Sequence, residues 1–236
     1  MTMSSRVPDQ REYSHDRLGD RFEKALSQYD TRRRVETLVG EFLTDEMVRG
    51  KHALDVGCGL GYFSEALAKR GAIVTACDLG PNLVEATRKR VGCEAVVADA
   101  LRLVDQFGRD RFDLVLSSEC IEHTPDPQAC LRQMAGVLKP GGYLSLSTPN
   151  LLWQPVVRLA SRLELRAFDG HENFSTWGSL ARPLGDGGVK IIRRKGLHLF
   201  PFQFGLHELS RYFDEHLQVA SRLMINLCIL GRKDPE

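Results

Sequence analysis

A short apolar run, HALDVGC (52–58), leads into glycines at 57, 59 and 61. An amphipathic segment, GYFSEALAKRG (61–71), follows at once. This junction of strand, glycine turn and helix constrains the chain more than any other feature. Glycine lets the backbone turn sharply and lets a ligand approach closely. The helix behind the turn offers free N–H groups to anionic atoms. The spacing G-x-G-x-G is tighter than the dinucleotide pattern G-x-G-x-x-G, and no Gly-Lys-Ser/Thr ending follows, so a bare phosphate is not the obvious guest.

The alternation continues downstream. Strands are expected at 72–78, 93–99, 112–119 and 143–150, with helices at 81–91 and 126–142 and a turn or short helix at 100–110. Strands alternating with helices make an α/β domain with a mostly parallel sheet covered on both faces. Such sheets bind ligands at the carboxyl ends of their strands. Asp78 closes the second strand, where an acid accepts hydrogen bonds from ribose hydroxyls. Asp99 closes the third, where a carboxylate can accept from an adenine amino group. Either aspartate alone could simply cap the next helix. Behind a glycine loop and in this order, they outline a nucleoside site.

Before residue 50, helical spacing (Phe22, Leu26, Tyr29, Val35, Leu38, Val39, Phe42) predicts two helices, an amino-terminal cap over 1–49. The run Arg32-Arg33-Arg34 reads as a solvated helix face, with contact to an acidic ligand as the alternative. Past Asn150 the rhythm breaks. A helix over 151–168, a loop and short helix, a strand at 189–196, a helix at 206–217 and a final strand within 221–233 are expected. Region 151–220 reads as an elaboration over the active face of a single domain, 50–236.

Formal net charge is +1 in 236 residues, so no global pull toward nucleic acid or an anionic membrane is expected. Six cysteines without C-x-x-C spacing read as buried thiols in a reducing, cytoplasmic setting. No stretch has the length of a membrane span, and the first residues lack the apolar core of a secretion signal. Nothing fixes the oligomeric state; a homodimer is one option.

ALDVGCGLG, ACDLG, VVADA, FDLVLSSECIEH and LKPGGYLSLSTPN together resemble the successive motifs of class I S-adenosylmethionine-dependent methyltransferases. The resemblance covers roughly 50–150. It implies a Rossmann-like, seven-stranded, mostly parallel sheet whose last strand is antiparallel, with S-adenosylmethionine over strands one and two. By motif match, Asp55 and the loop Gly57, Cys58, Gly59 and Gly61 would hold the methionine end. Asp78, with Leu79, would bind the ribose, and Asp99, with Ala100, the adenine. Ser117 or Ser118 would lie near the cofactor.

SSECIEH (117–123) adds two glutamates and a histidine at the carboxyl end of the fourth strand. A single helical turn over 119–123 would put Glu119, Glu122 and His123 on one face. That set suits a hard divalent cation such as Mg²⁺; without metal, His123 is a candidate general base with Glu122 beside it. The order E-x-x-E-H, S-T-x-N, G-x-H-x-x-x-F and G-L-H-x-x-P resembles the ubiquinone-biosynthesis O-methyltransferases, which methylate a catechol hydroxyl on a polyprenylated ring. A more distant resemblance is to small-RNA 2′-O-methyltransferases. It implies a metal held by Glu119, Glu122, His123 and His171, which would bind a vicinal diol or catechol and lower the pKa of the attacking hydroxyl.

The expected activity is therefore O-methylation of a hydroxyl on a small molecule of catechol, diol or quinol type, with a divalent ion as a candidate cofactor beside S-adenosylmethionine. The alternatives are N- or C-methylation of a small molecule without metal, RNA methylation, and a binding-only protein. The last conflicts with the intact glycine loop, Asp78 and Asp99, and RNA methylation with the balanced charge. Phe200, Phe202, Phe204 and Trp177 read as core before acceptor pocket. His198 and His207 read as structural.

Overall fold

The computed structural model describes residues 28–162, 172–199 and 206–235. Seven strands form one sheet: β1 (His52–Val56), β2 (Ile73–Asp78), β3 (Glu94–Val97), β4 (Phe112–Ser118), β5 (Leu138–Pro149), β6 (Val189–Leu197) and β7 (Asn226–Lys233). Their order is β3-β2-β1-β4-β5-β7-β6. Neighbours from β3 to β5 run parallel, and β7 is antiparallel to both β5 and β6. This is the Rossmann-like α/β fold the motifs imply. The order reverses between β1 and β4, and that switch point opens a crevice at the carboxyl ends of the strands.

β1 and β4 are buried along most of their length, as mainly apolar strands covered on both faces are. On one face Leu54, Val56, Val115, Leu131, Met134 and Leu146 form the larger core. On the other, Leu38, Val39, Phe42, Leu67, Leu114 and Leu116 pack together. Burying each such side chain stabilises the fold by about 1.5–3 kcal/mol. The described amino-terminal segment is thus part of the core. It holds helix α1 (Gln28–Val35), a π-helical turn (Glu36–Glu41) and α2 (Asp45–Val48). The solvated-face reading of the arginine run is corrected here. Arg32 is exposed, but Arg33 and Arg34 are buried, 1% and 5% accessible, because the face they share turns inward.

Helices α3 (Tyr62–Lys69), α4 (Pro81–Val91), α5 (Leu103–Phe107) and α6 (Pro127–Val137) connect the strands. Asp126 caps α6, accepting from the Ala129 amide at 2.8 Å. β5 begins five residues earlier than its apolar core, because Leu138 already pairs with Phe112 ahead of a bulge. Beyond β5 come α7 (Gln154–Arg162), α8 (Trp177–Asp186, with a Thr176/Ser179 capping box) and α9 (His207–His216). Among the described residues, no helix is long and apolar enough to cross a membrane.

Candidate active site

The glycine loop closes back on β2. The amides of Gly57 and Cys58 both donate to the Cys77 carbonyl, at 2.8 and 3.0 Å. Gly57, Gly59 and Gly61 all lie at positive φ. At Gly57 a Cβ would sit 2.5 Å from the Cys120 sulfur, so the loop lies directly against the segment after β4. At Gly61 a Cβ would fall 2.9 Å from Thr87 Oγ1, which closes α3 onto α4. Thr87 also donates to the Gly59 carbonyl at 2.9 Å.

Over this loop lies a cavity of about 320 Å³. Seven of the expected cofactor residues line it: Gly57, Cys58, Gly59, Asp78, Leu79, Asp99 and Ala100. Asp78 accepts from the Gly59 amide through one oxygen and from the Gly80 amide through the other, both at 3.0 Å. The carboxylate is thereby aimed, while its remaining lone pairs can take ribose hydroxyls. One oxygen of Asp99 accepts from the Leu101 amide at 2.8 Å.

Asp55, Gly61 and Ser117 are not in the cavity wall. Asp55 is 1% accessible and accepts from the Ser64 hydroxyl at 2.6 Å beneath the loop. Burial pushes its carboxyl up to about 7, and the charge of Asp78 adds to the rise. Its place is under the loop, fastening α3 to β1. Ser117 is fully buried and donates to the Val56 carbonyl; the next residue, Ser118, reaches the wall instead.

The acidic rim differs from the single helical turn expected over 119–123. A 3₁₀ turn spans only Ile121–His123, and Glu119 precedes it at φ 51°, so the three side chains do not share a helix face. Glu119 and His123 line the cavity. Glu119 accepts from Ser147 Oγ at 2.9 Å. Burial raises its carboxyl pKa, against the pull of the nearby Arg34 charge. Glu122 is 1% accessible and lies behind the wall, accepting from Thr148 Oγ1 at 3.1 Å. Burial, with the Glu119 charge, holds its carboxyl well above the usual range. Glu122 Oε1 is 3.8 Å from His123 Nε2.

These groups do not fit a divalent ion as arranged. Burial holds Glu122 toward its neutral form, the Arg34 charge acts on Glu119, and no group of three potential ligands converges among the described residues. His171, the fourth expected ligand, lies outside the described residues, as do Phe200, Phe202 and Phe204. Trp177 packs against the core with Arg194 over its ring.

Sequence reasoning missed the contribution of α1. Thr31 and Arg34 line the cavity. Arg34 Nη1 donates to Ser118 Oγ at 2.7 Å, and Nε and Nη2 fork onto Asp30. The i,i+4 pair Asp30–Arg34 was the available signal. Tyr62, Phe63, Thr124 and Pro125 complete apolar parts of the wall.

A family described as "Methyltransferase domain" matches residues 54–146. A ubiquinone biosynthesis O-methyltransferase from Coxiella burnetii is 31% identical over 165 residues, covering 66% of this chain and 70% of that protein. The chain belongs to the class I S-adenosylmethionine-dependent methyltransferases. A ubiquinone biosynthesis O-methyltransferase from Xanthomonas campestris is 46% identical over 105 residues, 43% of this chain and 44% of that one. The solved magnesium protoporphyrin IX methyltransferase from Synechocystis, with bound SAH, shares the fold. Its TM-score is 0.64 at 18% identity, over 90% of this chain and 87% of that one. This methyltransferase therefore uses S-adenosylmethionine as methyl donor.

Proposed function

We propose that this methyltransferase acts on a hydroxyl oxygen of a small molecule of catechol, diol or quinol type. The observation that carries the reading is that His123 and Glu119 open onto the same cavity as the glycine loop and Asp78. The likeness to enzymes named for ubiquinone biosynthesis O-methylation supports it.

In this reading the glycine loop and Asp78 hold the donor, and Asp99 lies at its adenine end. The cofactor supplies an electrophilic methyl group on a sulfonium sulfur. The His123 imidazole, which lines the cavity, would take the proton of the acceptor hydroxyl as the methyl group passes from sulfur to oxygen. The imidazole would then carry the proton, balancing the positive charge that the sulfonium donor gives up with its methyl group. Glu122 lies behind the wall, 3.8 Å from the ring, and so does not touch the acceptor. Because the methyl is already activated, positioning and deprotonation are the tasks left to the protein. The rim residues do this without a metal.

We further read 1–49 as a helical cap and 50–236 as the catalytic domain, with 151–220 serving acceptor selection. The six free thiols fit a reducing, cytoplasmic setting. The test is release of S-adenosylhomocysteine across a panel of catechols, vicinal diols and amines. Turnover confined to hydroxyl acceptors and unchanged by exhaustive chelation is expected. Turnover confined to amines overturns the hydroxyl assignment, and loss on chelation with recovery on Mg²⁺ overturns the metal-free one.

A further inference from the structure

The transfer chemistry leaves unused a buried polar chain that joins α1 to the residue after β6 and to α9. Asp30 accepts from Arg34 Nε at 3.1 Å and Nη2 at 2.8 Å, and meets His198 Nε2 at 2.9 Å. His198, just past β6, is wholly buried and sits at φ 63°. Its amide donates to Asp214 Oδ1 at 2.7 Å. Asp214, on α9, is equally buried, with Arg33 Nη2 3.7 Å from its other oxygen. Tyr29 stacks on His207 at 4.0 Å and donates to its carbonyl at 2.8 Å. The end of the chain is Arg34, at the cavity wall and on Ser118.

A left-handed backbone at a residue other than glycine persists only where its surroundings over-determine it. Here the Asp214 bond to the amide and the Asp30 contact to the ring together hold it. Stability alone does not require this arrangement, since buried ion pairs are often no better than packed apolar groups of the same size. What charge brings is geometry. A carboxylate that receives both Nε and Nη2 fixes the plane of a guanidinium. Burial by itself would raise the Asp30 pKa, but Arg34 and His198 hold it well below the usual carboxylate range. The fork is therefore charged on both sides.

We propose that His198 and Asp30 are positioning residues. Together they fix the Arg34 guanidinium at the cavity wall and so hold the amino-terminal helix and the segment after β6 in register with the cofactor pocket. The inference rests on the reading of that cavity as the cofactor pocket.

The test is calorimetric titration of the full chain with S-adenosylhomocysteine. His198→Leu removes the ring nitrogen, whereas His198→Gln keeps a donor there with the same backbone demand. His198→Leu is expected to weaken binding by about tenfold, the effect of one lost hydrogen bond to a charged group, and His198→Gln to recover most of it. Arg34→Lys cannot make the fork. In that background His198→Leu is expected to cost nothing further, because residues acting through one another are not additive. A merely structural role gives penalties that multiply, and that result overturns the proposal. So does wild-type affinity in His198→Leu. If His198→Leu does not fold, Asp30→Asn runs the same cycle with an isosteric side chain. Asp78→Ala is the control. If it binds as wild type, the cofactor-pocket reading falls. If it weakens while His198→Leu does not, only the positioning role falls.

Discussion

The wall of the cavity beside β1–β3 and the wall beside β4 and α1 are assembled over different distances along the chain. Gly59 and Asp78 are 19 residues apart. Arg34 and Ser118 are 84 apart, and Asp30 and His198 are 168 apart. The near wall is mainly backbone: amides, carbonyls and missing Cβ atoms. The far wall is mainly side chains whose charges hold one another. The first should therefore fail on small steric changes, and the second on changes of charge or proton-accepting capacity with the backbone intact.

The largest effect is expected on the far wall. His123→Ala should lower kcat by about 10²–10⁴-fold, the usual contribution of a general base, with cofactor affinity unchanged by calorimetry. Equal loss of both would move His123 to the binding side of the comparison. Next is Gly57→Ala. A side chain at positive φ costs about 1–2 kcal/mol and forced packing about 1–3 kcal/mol more. Chemical denaturation should show about that destabilisation, together with loss of S-adenosylhomocysteine binding. Normal stability and affinity would mean the loop does not lie against Cys120.

Asp78→Ala should weaken cofactor binding by about ten- to a hundredfold, as expected for lost bonds to a charged acceptor. The smallest effect on catalysis is expected beneath the loop. The Asp55 carboxyl lies at about 7 in the folded protein, against about 4 in an unfolded chain. The native state therefore holds this proton more tightly, and stability falls as pH rises from about 4 to about 7, by at most about 1.4 kcal/mol per unit. Asp55→Asn keeps an acceptor for Ser64 and should flatten that slope in denaturation curves, leaving affinity nearly intact. A variant with an undiminished slope would show that another group titrates there.

The near wall was legible in the sequence because strand, turn and acid follow one another in order. Gly57, Gly59, Asp78 and Asp99 lie where the motifs put them in the fold. Asp55 and Ser117, expected near the cofactor, have side chains outside the cavity wall. They sit in β1 and β4, where side chains alternate between faces, and a local motif does not say which layer it faces. The far wall was legible only as a set of residue types. Helical spacing suggested one face for Glu119, Glu122 and His123, yet Glu119 sits at positive φ and Glu122 turns to Thr148. Arg34 looked like solvated charge because its partners, Asp30 apart, lie in distant segments.

The most direct test of the account is a crystal structure of the chain with S-adenosylhomocysteine. The ribose hydroxyls should lie on Asp78 and the sulfur should face the rim of Glu119 and His123, with space for an acceptor hydroxyl between sulfur and imidazole. A cofactor bound elsewhere, or a sulfur turned away from His123, would contradict it.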